Sequence, residues 1–151
     1  MDLYSDPRAV VATLNAVWEA GDLDATMALF AEDAVWAVNA SPSAPHVGRW
    51  EGRDQIRQAL IKLRSVFEYV LYRPRIVSCT GEQVFVTIEF MADHKATGER
   101  ISFRFRQEFI VRDGLIGSCI EYYDVAMLEA FMRLFLSGTG AGDNSAPDRD
   151  S

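Results

Sequence analysis

Residues 83–111 read QVFVTIEFMADHKATGERISFRFRQEFIV, and their register decides the fold. KATGE (95–99) is a turn signal between two runs in which apolar and polar residues alternate. Centring the turn near Ala96 and Thr97 sets residue 90 opposite 103, 88 opposite 105, 86 opposite 107 and 84 opposite 109. One face then carries Val84, Val86, Ile88, Phe90, Phe103, Phe105 and Phe109, with Gln107 as its single polar member. The other face sets Glu89 opposite Arg104 and Thr87 near Arg106. This separation is the pattern of an antiparallel sheet covered on one side. Glu89 therefore reads as half of a cross-strand ion pair. Gln107 has two readings: a buried amide satisfied by backbone or water, or an orienting group in an apolar ligand site.

Helices flank this hairpin on both sides. Asp6-Pro7 is a helix-start signal, followed by Val10, Val11, Leu14, Val17 and Trp18 at helical spacing, with Gly21 as the stop. Asp22 caps a second, shorter helix whose buried side carries Leu23, Met27 and Phe30. AVWAVN (34–39) reads as a strand. ASPSAPHVGRWEG (40–52), rich in Pro, Ser and Gly, reads as one long irregular loop with Trp50 as part of a lid. A third helix spans Arg53–Leu63, and the period changes towards two from Phe67 onward. TGE (80–82) and RDG (112–114) are further turns. Asp124 precedes a last helix carrying Val125, Leu128, Phe131, Met132 and Phe135. Segregated helices and an antiparallel meander define the α+β class. The expected organisation is a single domain over 1–136 and a disordered tail over 137–151, which has almost nothing to bury.

Composition narrows the partners. Of 151 residues 49% are apolar and 25% charged, as in soluble globular proteins, and the formal net charge is −7. That balance argues against nucleic acid or an anionic membrane as partner, because both reward clustered Lys and Arg. No apolar run approaches the roughly 18 residues of a membrane span. The N-terminus MDLYSDPRAVV lacks the pattern of a secretory signal, so a cytoplasmic location is expected, with Cys79 and Cys119 as reduced thiols. His46 and His94 show no metal-ligand spacing, and neither a metal nor an organic cofactor is expected. His94, beside the KATGE turn, reads as a surface residue.

GLIGSCIEYYDV (114–125) poses the functional question, because the direction of Glu121 depends on the RDG turn. A two-residue Asp113-Gly114 turn pairs 106 with 121 and puts the carboxylate on the outer face. A three-residue Arg112-Asp113-Gly114 loop pairs 105 with 121 and turns it inward. Both turns suit the sequence.

GDLDATMALFAEDAVW (21–36), GRDQIRQAL (52–60) and DGLIGSCIEYYD (113–124) resemble the nuclear transport factor 2-like superfamily. Within it the nearest branches are ketosteroid isomerase-like, SnoaL-like polyketide cyclase and limonene-epoxide hydrolase-like proteins. The resemblance covers about residues 8–136. It implies a cone-shaped α+β barrel, a curved, mainly antiparallel sheet wrapped on N-terminal helices, enclosing one apolar pocket and commonly dimeric. Positions that carry catalytic groups in ketosteroid isomerases hold Leu14, Val38 (beside Asn39) and Gln107 here. Leu14 and Val38 cannot act as bases. Positions of the hydrolase Asp-Arg-Asp set hold Phe90, Ile88 and Glu121, while Trp36 and Asn39 resemble the accompanying Tyr and Asn. For the cyclase pattern of an acid and a histidine, His46 is the candidate histidine, although no motif fixes its place.

In these relatives the acid at the Glu121 position faces the pocket. The resemblance therefore favours the three-residue turn, with Cys119 and Tyr123 lining the pocket and Ile116, Ile120 and Tyr122 on the outer face. The expected site is Glu121 as catalytic carboxylate, with Asn39, Gln107, Trp18, Trp36, Phe90, Phe103, Phe105 and Tyr123 contacting a small hydrophobic molecule. Two functions fit: an acid/base enzyme of isomerase, cyclase or hydrolase type, or a non-catalytic binding protein. A homodimer through the outer sheet face is the expected assembly.

Overall fold

The first helix starts where its cap allows. Asp6 accepts a hydrogen bond from the Arg8 N–H at 3.0 Å and Pro7 opens α1 (Pro7–Glu19). That proline sits where its missing N–H costs nothing. Asp22 likewise caps α2 (Leu23–Met27), taking the Ala25 N–H at 3.0 Å. The computed structural model describes residues 6–39 and 48–137. His46 and the tail beyond Ser137 lie outside the described residues, as does most of the 40–52 segment. Then follow β1 (Phe30–Asn39), β2 (Gly48–Glu51), α3 (Arg53–Val66), β3 (Phe67–Thr80), β4 (Gln83–His94), β5 (Arg100–Arg112), β6 (Leu115–Tyr122) and α4 (Val125–Ser137).

The strands form one open six-stranded sheet in the order β2-β1-β6-β5-β4-β3. Its pairs are antiparallel except β1 with β6, which is parallel. The sheet is therefore mixed and does not close into a barrel, and helices cover its concave side. Val11 of α1, Ile56 of α3, Phe109 of β5 and Leu134 of α4 all belong to one buried core. The fold is α+β, as the element order implied.

The hairpin between β4 and β5 has the register read from its alternation. Phe90 faces Phe103, Ile88 faces Phe105, Val86 faces Gln107 and Glu89 faces Arg104. Several other expectations need correction. Phe30 starts β1 and is buried there, not on the face of α2. Gly48–Glu51 is a strand against β1, not part of an irregular loop, and it sets Trp50 opposite Trp36. Their rings stack with centroids 4.6 Å apart. A Cβ at Gly48 would come within 2.7 Å of the Trp50 ring, so the stack needs glycine there. His94 is 1% exposed because α4 covers it. Its Nε2 donates to the Leu134 carbonyl at 3.1 Å, and its Nδ1 lies 2.8 Å from the Thr97 hydroxyl. Val125, expected on the buried face of α4, is exposed.

The turn after β5 holds the most instructive correction. It is a two-residue turn, with Asp113 and Gly114 at φ 55° and 78° and Arg112 opposite Leu115. Two successive positive φ values are the signature of a type I′ hairpin. Taken alone it would send Glu121 outward. One step further on, Val111 faces Ile116 but Ile110 faces Ser118, so Gly117 is an extra, bulged residue. The bulge shifts all later pairs by one, puts Glu121 opposite Gln107 and turns its carboxylate inward. The expected 105–121 pairing is thus replaced by 107–121. Ile116, before the bulge, is fully buried and not on the outer face.

Candidate functional site

The concave side of the sheet and helices α1, α2 and α3 enclose a cavity of about 70 Å³. From β1 comes Trp36, from β4 Phe90, from β5 Phe105, Gln107 and Phe109, and from β6 Cys119 and Glu121, with Tyr123 just beyond the strand. Leu14 and Trp18 of α1 and Ile56, Leu60 and Leu63 of α3 supply the opposite wall.

Glu121 is 6% exposed and Gln107 7%. The carboxylate is gripped from three sides. Gln107 Nε2 donates to its Oε2 at 2.9 Å, the Tyr123 hydroxyl donates to its Oε1 at 2.7 Å, and the Trp36 indole N–H donates as well. Burial pushes the Glu121 carboxyl above its usual 4.5, and the donors Gln107, Tyr123 and Trp36 partly oppose that rise. Burial, reinforced by the nearby Glu121 charge, also raises Cys119 and Tyr123 well above their ordinary values. Both therefore hold their protons at neutral pH. Gln107 Oε1 is buried and accepts no hydrogen bond from the described residues. Most such atoms in proteins are paired, so this bare acceptor on a cavity wall is notable.

Of the residues expected at the site, Trp18, Trp36, Phe90, Phe105, Gln107, Glu121 and Tyr123 come together around the cavity. Asn39 and Phe103 do not line it. Asn39 ends β1, where its carbonyl accepts the Tyr123 N–H at 2.9 Å. Phe103 is half-buried behind the wall, packed on Phe90, Phe105 and Tyr123. Tyr69 and Tyr72 of β3 line the cavity although the sequence reading passed over them. Strict alternation would put them on opposite faces. A bulge at Val70 lies between Tyr69, opposite Ala92, and Leu71, opposite Met91, and it brings both tyrosines inward. Burial raises both phenols above their ordinary values. The aromatic spacing in EYVLYRP was the available signal, but only the bulge makes it one-sided.

Arg64 of α3 stacks its guanidinium 4.2 Å from the Trp18 ring centre and 4.4 Å from that of Tyr69. It also donates to the Trp18 carbonyl. Among the described residues, no group of three or more His, Cys, Asp or Glu side chains is placed to hold a metal ion. No described helix is long and apolar enough to cross a membrane.

The model of the SnoaL-like domain family matches residues 11–118 of this chain. Curated proteins give no match. Solved structures do. An NTF2-like protein (nuclear transport factor 2-like) of Burkholderia xenovorans is 25% identical, with a TM-score of 0.68, covering 82% of this chain and 94% of that one. A candidate polyketide cyclase of Xanthomonas campestris pv. campestris is 19% identical, with a TM-score of 0.67 and coverage of 89% and 99%. A Catenulispora acidiphila protein with a ketosteroid isomerase-like fold, solved in complex with trimethylamine, is 20% identical. Its TM-score is 0.63 and the coverages are 80% and 89%.

Proposed function

The chain belongs to the SnoaL-like domain family, and from that membership we propose that it is a small-molecule pocket protein using Glu121 as an acid/base group. The observation that carries this reading is a buried carboxylate on the wall of a mainly apolar cavity, oriented by three neutral donors. A carboxylate with a raised pKa is a better proton acceptor near neutral pH than an exposed one. Glu121 takes a proton from a substrate carbon or oxygen acid and returns it to another atom of the same molecule or to the leaving oxygen. Gln107 and Tyr123 keep its oxygens in place meanwhile. Trp18, Trp36, Phe90 and Phe105 confine a small, mainly apolar substrate and exclude water. Reactions of isomerase, cyclase or hydrolase type all use this transfer.

Substituting Glu121→Gln removes the proton-accepting oxygen while keeping the shape. Turnover across a panel of small carbonyl and epoxide compounds is expected to fall by about 10²–10⁴-fold. Unchanged turnover would remove Glu121 from catalysis. A second reading, a non-catalytic carrier, draws on Leu14, Val38, Ile88 and Phe90, apolar side chains at positions where the enzymes of this superfamily resemblance keep polar ones. Under it, a ligand carried through purification is recovered chemically unaltered by mass spectrometry, and its conversion by the pure protein would refute this reading.

The proposed assembly is a homodimer through the outer sheet face, where Phe85, Glu108 and Ile120 form one cross-strand row. Phe85 is partly exposed there. Sedimentation of the wild type and of Ile120→Glu tests it: a monomeric wild type sinks the dimer.

A further inference from the structure

We propose that the molecule held against Glu121 is a small ammonium ion bearing at least one N–H. This rests on the reading of the cavity as a ligand site, and three observations on the cavity lead to it.

The first is charge. Glu121 is buried, and its donors Gln107, Tyr123 and Trp36 are all neutral. Among the described residues no Lys, Arg or His side chain lines the cavity, and none of their ion pairs includes Glu121. A buried carboxylate without a counter-charge is costly, so a cation entering here gains what an anion would lose.

The second is the wall. Aromatic rings dominate it, among them Trp18, Trp36, Tyr69, Tyr72, Phe105 and Tyr123. Ring faces attract cations, and Trp and Tyr do so most strongly. The chain already uses two of these rings in that way, since Arg64 lies over both Trp18 and Tyr69.

The third is Gln107 Oε1, buried on the cavity wall without a donor among the described residues. It calls for an N–H or O–H from the occupant. A quaternary ammonium cannot supply one, which is why the inference specifies a primary, secondary or tertiary ammonium.

Three probes of five non-hydrogen atoms separate these contributions: tert-butylammonium, tert-butanol and tetramethylammonium. Calorimetric titration of the full chain at pH 7 is expected to show tert-butylammonium binding at least about tenfold tighter than tert-butanol. Tetramethylammonium is expected to fall between them. Glu121→Gln should erase the preference for charge, and Gln107→Leu the preference of tert-butylammonium over tetramethylammonium, with thermal melts showing that both variants fold.

Should Glu121→Gln fail to fold, the wild type still gives a test. Ammonium binding weakens as pH falls and Glu121 is protonated, while alcohol binding stays constant. Among the described residues the other titratable groups facing Glu121 are Cys119, Tyr69, Tyr72 and Tyr123, all raised by burial and so silent in that range. Alcohol binding as tight as the ammonium, or tighter, overturns this inference and leaves the cavity as a ligand site. Binding of none of the three overturns both.

Discussion

Glu89 and Glu121 are the same side chain on the same sheet, and the two faces treat them in opposite ways. Glu89, on the outer face, keeps 40% of its side chain in solvent and has Arg73 at 3.5 Å and Arg104 at 3.4 Å. Glu121, on the inner face, has neutral donors and almost no solvent. Water and two mobile guanidinium groups make the outer charge cheap to hold and of little consequence to remove. On the inner face the chain pays desolvation to hold a group whose charge is therefore sensitive to protonation and to whatever enters the cavity. Residue type is a poor guide to role here, and the face on which a residue lies is a good one.

The comparison breaks most completely if the faces are exchanged. Deleting Gly117 removes the bulge and forces Ser118–Tyr122 to the other side of the sheet. Cys119 and Glu121 would go outward, and Ile120 and Tyr122 inward. The expected loss is more than about 4 kcal/mol, at the exceptional end for a change at one position. Urea unfolding measures it, and a deletion variant of unchanged stability would show that the bulge does not set the register.

Next in size is Tyr123→Phe, which takes one donor from Glu121 while leaving the ring packed on Phe105, 4.7 Å away and nearly parallel. A cost of about 1–3 kcal/mol is expected for the weakened buried network. The carboxyl should also titrate at higher pH in the variant, as followed by NMR. A shift downward would contradict the role given to the hydroxyl.

The smallest effect is the pH slope. Glu121 titrates above its unfolded value of 4.5, so the folded state binds its proton more tightly than the unfolded chain does. That contribution is fully present below about pH 4.5 and is lost as pH rises through the folded-state pKa. Melting curves of the wild type should therefore decline relative to Glu121→Gln across this window. Glu89→Gln serves as the outer-face control, with an expected change of about 1 kcal/mol or less. If the wild type and Glu121→Gln run parallel across the window, Glu121 is not desolvated as described.

Some of this was legible in the chain and some was not. The β4–β5 register could be read because eleven successive pairs alternate without interruption and one face is apolar but for Gln107. The caps at Asp6 and Asp22 were legible because an N-cap is a contact between residues two or three apart. The inward direction of Glu121 was reached through family resemblance, but the turn offered for it was wrong. A two-residue turn plus a bulge reaches the same face as a three-residue loop, since each shifts the pairing by one. Tyr69 and Tyr72 were missed for a related reason, and His94 because its cover, the carbonyl of Leu134, lies forty residues away.

What the sequence determined by itself is therefore the kind and order of the elements other than β2, the α+β class and the apolar face of the central hairpin. Each follows from period and capping, which act over a few neighbouring residues. Only the tertiary structure decided which way Glu121, Tyr69 and Tyr72 point, that Gly48–Glu51 pairs as a strand, and that His94 is buried. A bulge costs little locally and is placed wherever the packing of distant elements is best served. A single such residue at Gly117 makes the difference between a surface glutamate and a carboxylate in a cavity.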